Sequence, residues 1–167
     1  MAGNEGYNKH KFNLSFQNSW HHEELVREGR NRDPLFKKLR VITKSQYEDA
    51  LLQKNRVPYT YDFVYDDEGI IMNGVSSGLS TFTSEGGLAQ ALGRVCDPRK
   101  VWRLRKMTED ESFEIMYPKE MELNPIEGSD VHFGIRPAKD EKVRHETFLQ
   151  MLRCLPWTKL QMVPPGH

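Results

Sequence analysis

Arg40, Ser80 and His132 are the residues whose types suit chemistry on a sugar phosphate. A guanidinium carries a rigid fork of donors that matches phosphate or ribose oxygens. A serine hydroxyl both donates and accepts, and an imidazole can bond a ribose hydroxyl or orient a ring. Around Ser80 the chain is dense in small residues: positions 74–83 include Gly74, Gly78, Ser76, Ser77, Ser80, Thr81 and Thr83. Glycine lets backbone approach a ligand closely or turn with positive φ. The same composition also makes an ordinary surface turn, and Arg40 between apolar neighbours equally suits a solvated edge strand.

Other polar groupings carry less. His21 and His22 are adjacent, so their rings diverge on a helix or strand, and no third ligand follows at a diagnostic spacing; no metal is expected. Asp66, Asp67 and Glu68 lack the ligand spacing of a calcium loop and read as solvated turn carboxylates. The basic residues Arg99, Lys100, Arg103, Arg105 and Lys106 fit a phosphate contact or a wet strand face. With 24 basic and 24 acidic side chains the chain has no net field to recruit nucleic acid, and nucleic acid is not expected as a partner. Neither a P-loop nor the three-glycine dinucleotide fingerprint is present.

The 167 residues suffice for one domain with a sizeable core. No apolar run is long enough to span a bilayer and the first thirty residues lack a secretory segment, so the expectation is a cytoplasmic protein with no membrane partner. An effector exported without a cleavable signal has the same composition. Cys96 and Cys154 are too few for a disulfide scaffold and read as buried free thiols.

The elements that must hold these residues follow from pattern. Residues 1–33 read as a polar amino-terminal arm, with a short strand over 11–16 and helical turns over 20–27. A single domain is expected over 34–160, with a tail at 161–167. Within the domain, 35–42 reads as a first core strand, and Ser45 with Glu48 gives a capping box for a packing helix that ends by Asn55. Aromatic and β-branched content makes 59–65 a strand. Positions 74–83 form the hydroxyl-rich loop, and 84–93 a helix capped by Ser84 and stopped by Gly93. Strands follow at 101–105, 112–117, 121–123 and 130–137. In the last of these Val131, Phe133 and Ile135 face the core and His132 the opposite side. A final helix spans 141–155, with Phe148, Met151, Leu152 and Leu155 on its core stripe.

Three pieces in this order carry a family likeness: Leu39-Arg40-Val41-Ile42, then Gly78-Leu-Ser80-Thr-Phe82, then Val131-His132-Phe-Gly-Ile-Arg-Pro137 followed by an apolar helix. Over about residues 36–157 the chain resembles a small type VI secretion effector toxin family with an ADP-ribosyltransferase-like fold, including its fungal relatives. The resemblance implies an α+β fold with a split, bent mixed or antiparallel β core and flanking helices. It implies NAD as substrate, with ADP-ribose transferred to a macromolecular acceptor or the dinucleotide hydrolysed, and a neutralising protein as a further partner. It makes Arg40, Ser80 and His132 the catalytic set and Arg40, Gly78, Ser80, Thr81 and His132 the dinucleotide-binding set. The wider fold uses a late glutamate against the ribose; Glu141, Glu146, Glu120 and Glu122 are available, and none is singled out by a motif. The alternative is a catalytically inactive protein-binding domain of the same fold.

Overall fold

In the computed structural model, which describes residues 24–35, 39–53, 61–105 and 121–159, strands and helices alternate irregularly. In chain order they are β1 (Glu24–Glu28), β2 (Val41–Thr43), α1 (Lys44–Leu52), β3 (Phe63–Tyr65), β4 (Leu79–Phe82), α2 (Glu85–Leu92), β5 (Val101–Arg105), β6 (Met121–Pro125), β7 (His132–Pro137), α3 (His145–Arg153) and β8 (Thr158–Lys159). The main sheet has six strands in the order β6-β7-β4-β1-β5-β8, every neighbouring pair antiparallel. A parallel pair, β2 and β3, forms a second small sheet. The fold is therefore α+β, with helices flanking a largely antiparallel sheet.

Strand alternation sends apolar side chains to both faces of the main sheet. On one face Leu25, Leu104, Leu79, Phe133, Ile135 and Met121 meet Phe63 of β3 and Phe148 and Leu152 of α3 in the larger core. Phe63 and Phe148 pack edge to face with centroids 5.6 Å apart, the arrangement that ring quadrupoles favour. On the other face Val26, Phe82 and Val101 pack against Leu88 of α2. The apolar spacing of α3 thus does what its sequence predicts.

Several expectations are corrected. Residues 24–28, assigned to an arm and to helical turns, form an inner strand of the main sheet, with Leu25 and Val26 fully buried. A short apolar pair among charged residues is compatible with either period, and pairing on both edges decides it. The hydroxyl-rich loop is a loop only in its first half. Asn73–Val75 makes a 3-10 turn, and Leu79–Phe82 is a strand between β7 and β1. Helix α1 is capped by Thr43 and Gln46 rather than Ser45 and Glu48; it fully buries no residue, and its half-buried Tyr47 packs edge-on against Tyr61 with centroids 6.1 Å apart. Ser84 and Gly93 cap α2 as expected. The strands expected at 11–16 and 112–117, the tail at 161–167, His21, His22, Lys106 and Glu120 lie outside the described residues.

Two glycines allow the tightest approach in the sheet. A Cβ on Gly134 of β7 would lie 1.8 Å from the Ser77 carbonyl oxygen, and one on Gly78, whose φ is +96°, would lie 2.7 Å from the Gly134 carbonyl carbon. No side chain larger than hydrogen fits either position without moving backbone. The contact draws residues 77–78 onto β7, and Ser77 and Gly78 in turn donate their amides to the Tyr61 and Asp62 carbonyls at 2.9 Å. One crossing therefore ties the small sheet to the main one.

Candidate functional site

The main sheet opens between its two central strands. β1 and β4 are joined at one position, Val26 opposite Phe82, whereas β1 pairs with β5 over five. Beyond that joint the Ser80 carbonyl accepts from the Arg27 guanidinium at 3.0 Å, a side-chain bond where a strand ladder would otherwise run. The opening is a cleft of about 720 Å³. Its walls are Arg27 and Glu28 of β1, Ser80 and Phe82 of β4, His132 of β7, Leu88 and Leu92 of α2, and Leu39, Arg40, Tyr61 and Asp62 beside the small sheet.

Arg40, Ser80 and His132, drawn from three distant parts of the chain, all line this cleft. Ser80 Oγ and His132 Nε2 are 2.7 Å apart, joined by a hydrogen bond in either imidazole tautomer. Phe82 and His132 stand opposite one another across β4 and β7, and their rings stack at 4.3 Å with an interplanar angle of 11°. The stack fixes the ring plane and the serine fixes its rotation. Burial pulls the His132 pKa below the usual histidine value, opposed by the charge of Glu127, so the neutral ring is favoured. Arg40 is exposed at the mouth, and its amide donates to Asp62 Oδ2 at 2.9 Å.

The remaining expected ligands separate. Gly78 shapes the backbone crossing described above and is buried. Thr81 is a correction: it lies on the opposite face of β4 from Ser80, is fully buried, and donates its hydroxyl to the Phe133 carbonyl at 2.8 Å. The alternation that turns Ser80 into the cleft turns its neighbour away. The described late glutamates, Glu122, Glu141 and Glu146, do not line the cleft either. Glu122 pairs with Arg136 at 2.9 Å and accepts from the Lys139 amide, Glu146 is exposed on α3, and Glu141 precedes that helix.

Sequence reasoning missed Arg27, Glu28, Tyr61, Asp62 and Phe82. Arg27 is 5% exposed and donates to the Ser80 and Leu35 carbonyls. Desolvation lowers its pKa to about 10, partly offset by the charges of Asp62 and Asp33, so it remains charged at neutral pH. Burial likewise raises the pKa of Asp62, against the amide of Arg40 and the charges of Arg27 and Arg40. A buried cation amid the apolar residues of β1 is costly and persists only where carbonyls and carboxylates surround it. The signal available in sequence was the tetrad Leu25-Val26-Arg27-Glu28, a strand-length apolar pair running into two charges.

Outside the cleft the basic run at the start of β5 is largely matched. Arg99 pairs with Asp97 at 3.0 Å and Arg103 with Glu24 at 3.5 Å, while Lys159 lies 4.4 Å over the Trp102 ring. Among the described residues no group of three or more His, Cys, Asp or Glu side chains is placed to hold a metal ion, and no helix is long and apolar enough to cross a membrane. Comparison of the chain with protein-family models, curated proteins and solved structures finds no match in any of the three.

Proposed function

We propose that the chain is an ADP-ribosyltransferase-like domain that binds NAD in the split between β1 and β4 and breaks its nicotinamide–ribose bond. The observation that carries this reading is the convergence of Arg40, Ser80 and His132 on one cleft of about 720 Å³, a volume within the range of small-molecule sites. Support also comes from the split antiparallel sheet, which agrees with the bent β core that the family likeness implies.

In this reading Arg40, at the mouth, meets phosphate or ribose oxygens with its donor fork. Ser80 and His132 act as one unit: the hydroxyl and neutral imidazole offer a donor and an acceptor to the nicotinamide ribose, and the Phe82 stack keeps the ring from rotating away. Arg27 adds a fixed positive charge at the cleft floor without moving, since two carbonyls hold it. Loss of nicotinamide leaves an oxocarbenium-like ribose that is captured by water or by a macromolecular group. The acceptor, a toxic outcome and a neutralising protein are parts of the proposal carried by the likeness to the toxin family.

The test is direct. Purified protein is incubated with NAD, with and without cell extract, and nicotinamide release and product mass are followed. Ser80→Ala and His132→Ala are expected to lose most of the activity, each by about 100-fold, the scale of one preorganised polar group. A folded wild-type protein that releases no nicotinamide and does not bind the dinucleotide refutes the reading.

A further inference from the structure

Three hydroxyls beside Ser80 give their protons to backbone carbonyls, each at 2.8 Å: Ser76 to Met72, Ser77 to Tyr61 and Thr81 to Phe133. A carbonyl oxygen accepts such a bond but is far too weak a base to take the proton. Ser80 differs in its partner. Its Oγ lies 2.7 Å from Nε2 of His132, a group that does bind protons near neutral pH. With the ring proton on Nδ1, Nε2 accepts from the hydroxyl, which is the arrangement that turns a serine into a nucleophile.

The surroundings suit that use. The Phe82 stack holds the ring plane, in place of the carboxylate that orients the imidazole of a full triad. Burial keeps the ring neutral and able to act as a base, and the charge of Glu127, which opposes that shift, favours the imidazolium formed once the proton has moved. Both residues line the cleft, so an electrophile can reach the hydroxyl. Two features of the walls indicate its class. The Arg27 guanidinium, fixed by the Ser80 and Leu35 carbonyls, sets a positive charge in the same cleft, suited to a carbonyl oxygen that becomes negative under attack. Phe82 and Leu88, continued by the half-buried Leu92, form an apolar wall for a hydrocarbon chain.

We propose that Ser80 and His132 are a nucleophile and general base that hydrolyse short-chain carboxylic esters through an acyl group carried on Ser80, an activity that does not rest on the dinucleotide reading. Ser80 Oγ bonds to the ester carbonyl carbon as its proton passes to His132 Nε2. The tetrahedral adduct collapses, the bond to the alkoxide oxygen breaks, and His132 returns the proton to the leaving alcohol. Water then adds to the acyl carbon and gives a proton to His132. The bond to Ser80 Oγ breaks, the proton goes back to that oxygen, and the carboxylic acid leaves.

The experiment uses the full chain, with folding checked by circular dichroism, and two probes: an alkyl fluorophosphonate and p-nitrophenyl butyrate. The fluorophosphonate should add one phosphonyl group to Ser80 with loss of fluoride, located by peptide mass. Ester hydrolysis should fall about 100-fold in Ser80→Ala and in His132→Asn, the scale of a positioned general base. Because the stacked ring could matter for folding, the wild type supplies a further readout. Its labelling rate should be level above pH 6.5 and fall at lower pH as the imidazole takes up a proton. A folded wild type that is not labelled at Ser80 overturns the proposal. So does ester hydrolysis that Ser80→Ala keeps within about threefold, or a His132→Asn variant labelled as fast as the wild type. Nicotinamide release by a protein that the fluorophosphonate does not label removes this proposal and leaves the dinucleotide reading standing; labelling without nicotinamide release does the reverse.

Discussion

Replacing Gly134 with alanine tests whether the crossing of residues 77–78 over β7 holds the site together. The added Cβ would stand 1.8 Å from the Ser77 carbonyl oxygen, about 1.5 Å short of a close C–H···O contact. The Ser77 carbonyl also accepts from Asn124 Nδ2 at 3.1 Å, and the adjacent amides of Ser77 and Gly78 reach Tyr61 and Asp62 at 2.9 Å. Moving this backbone by that distance breaks two or three hydrogen bonds at about 1 kcal/mol each and loosens Leu79 against Ile135. We expect a loss of about 3–5 kcal/mol of stability, measured by urea unfolding at equilibrium. Gly74→Ala is the control, since nothing lies within 4 Å of its added Cβ, and it should change stability by less than about 0.5 kcal/mol. If Gly134→Ala costs under about 1 kcal/mol, the close crossing is not a constraint and the argument that it positions Ser80 fails.

Other expected outcomes follow from burial and charge. Phe148, fully buried between α3 and β3, should cost about 3–5 kcal/mol on change to alanine, whereas Leu52→Glu on the exposed end of α1 should stay within about 0.5 kcal/mol by the same denaturation. His132 and His145 both have folded pKa values pulled below the ordinary 6.5 by desolvation, so the unfolded chain binds more protons as pH falls. Their contribution to stability is present above pH 6.5 and is lost as pH drops through the folded values. Melting temperatures between pH 7.5 and pH 5 should fall for wild type and fall less for His132→Asn with His145→Asn; equal slopes would count against the burial. Arg40→Ala should raise KM for NAD about tenfold with kcat little changed, as expected of a group binding ground and transition states alike. A kcat effect with unchanged KM would remove Arg40 from that role.

The site was partly legible in the sequence because its polar residues sit in contrasting surroundings. His132 before Phe133 and Ile135 announces a polar face by alternation, although Val131 is exposed rather than turned to the core, and Ser80 stands out only by residue type; the structure turns both side chains into one cleft. Thr81 shows the limit: a hydroxyl-rich stretch read as a loop hides the period of 2 that separates Ser80 from its neighbour. Arg27 and Glu28 left only the weak signal of an apolar pair running into two charges, because their importance arises from long-range pairing. Nothing local distinguishes a helical Leu-Val-Arg-Glu from a strand that partners residues more than fifty positions away. Capping chemistry was more transferable, since Ser84 and Gly93 act within their own turn, although Thr43 captured the start of α1 before Ser45 could.

The single joint between β1 and β4 makes the main sheet two leaves, β6-β7-β4 and β1-β5-β8, which share the two apolar cores but are joined along their facing edges at Val26 and Phe82 and by the Arg27 bond to Ser80. A molecule lodged between them touches both, so its binding free energy becomes mechanical coupling between leaves that the ladder scarcely links. At a ligand concentration of about 100 times Kd that coupling is worth about 2.7 kcal/mol. Amide exchange should register it chiefly at the facing edges of the two leaves, where sparse pairing makes opening easiest, and far less at the fully laddered β6–β7 pair.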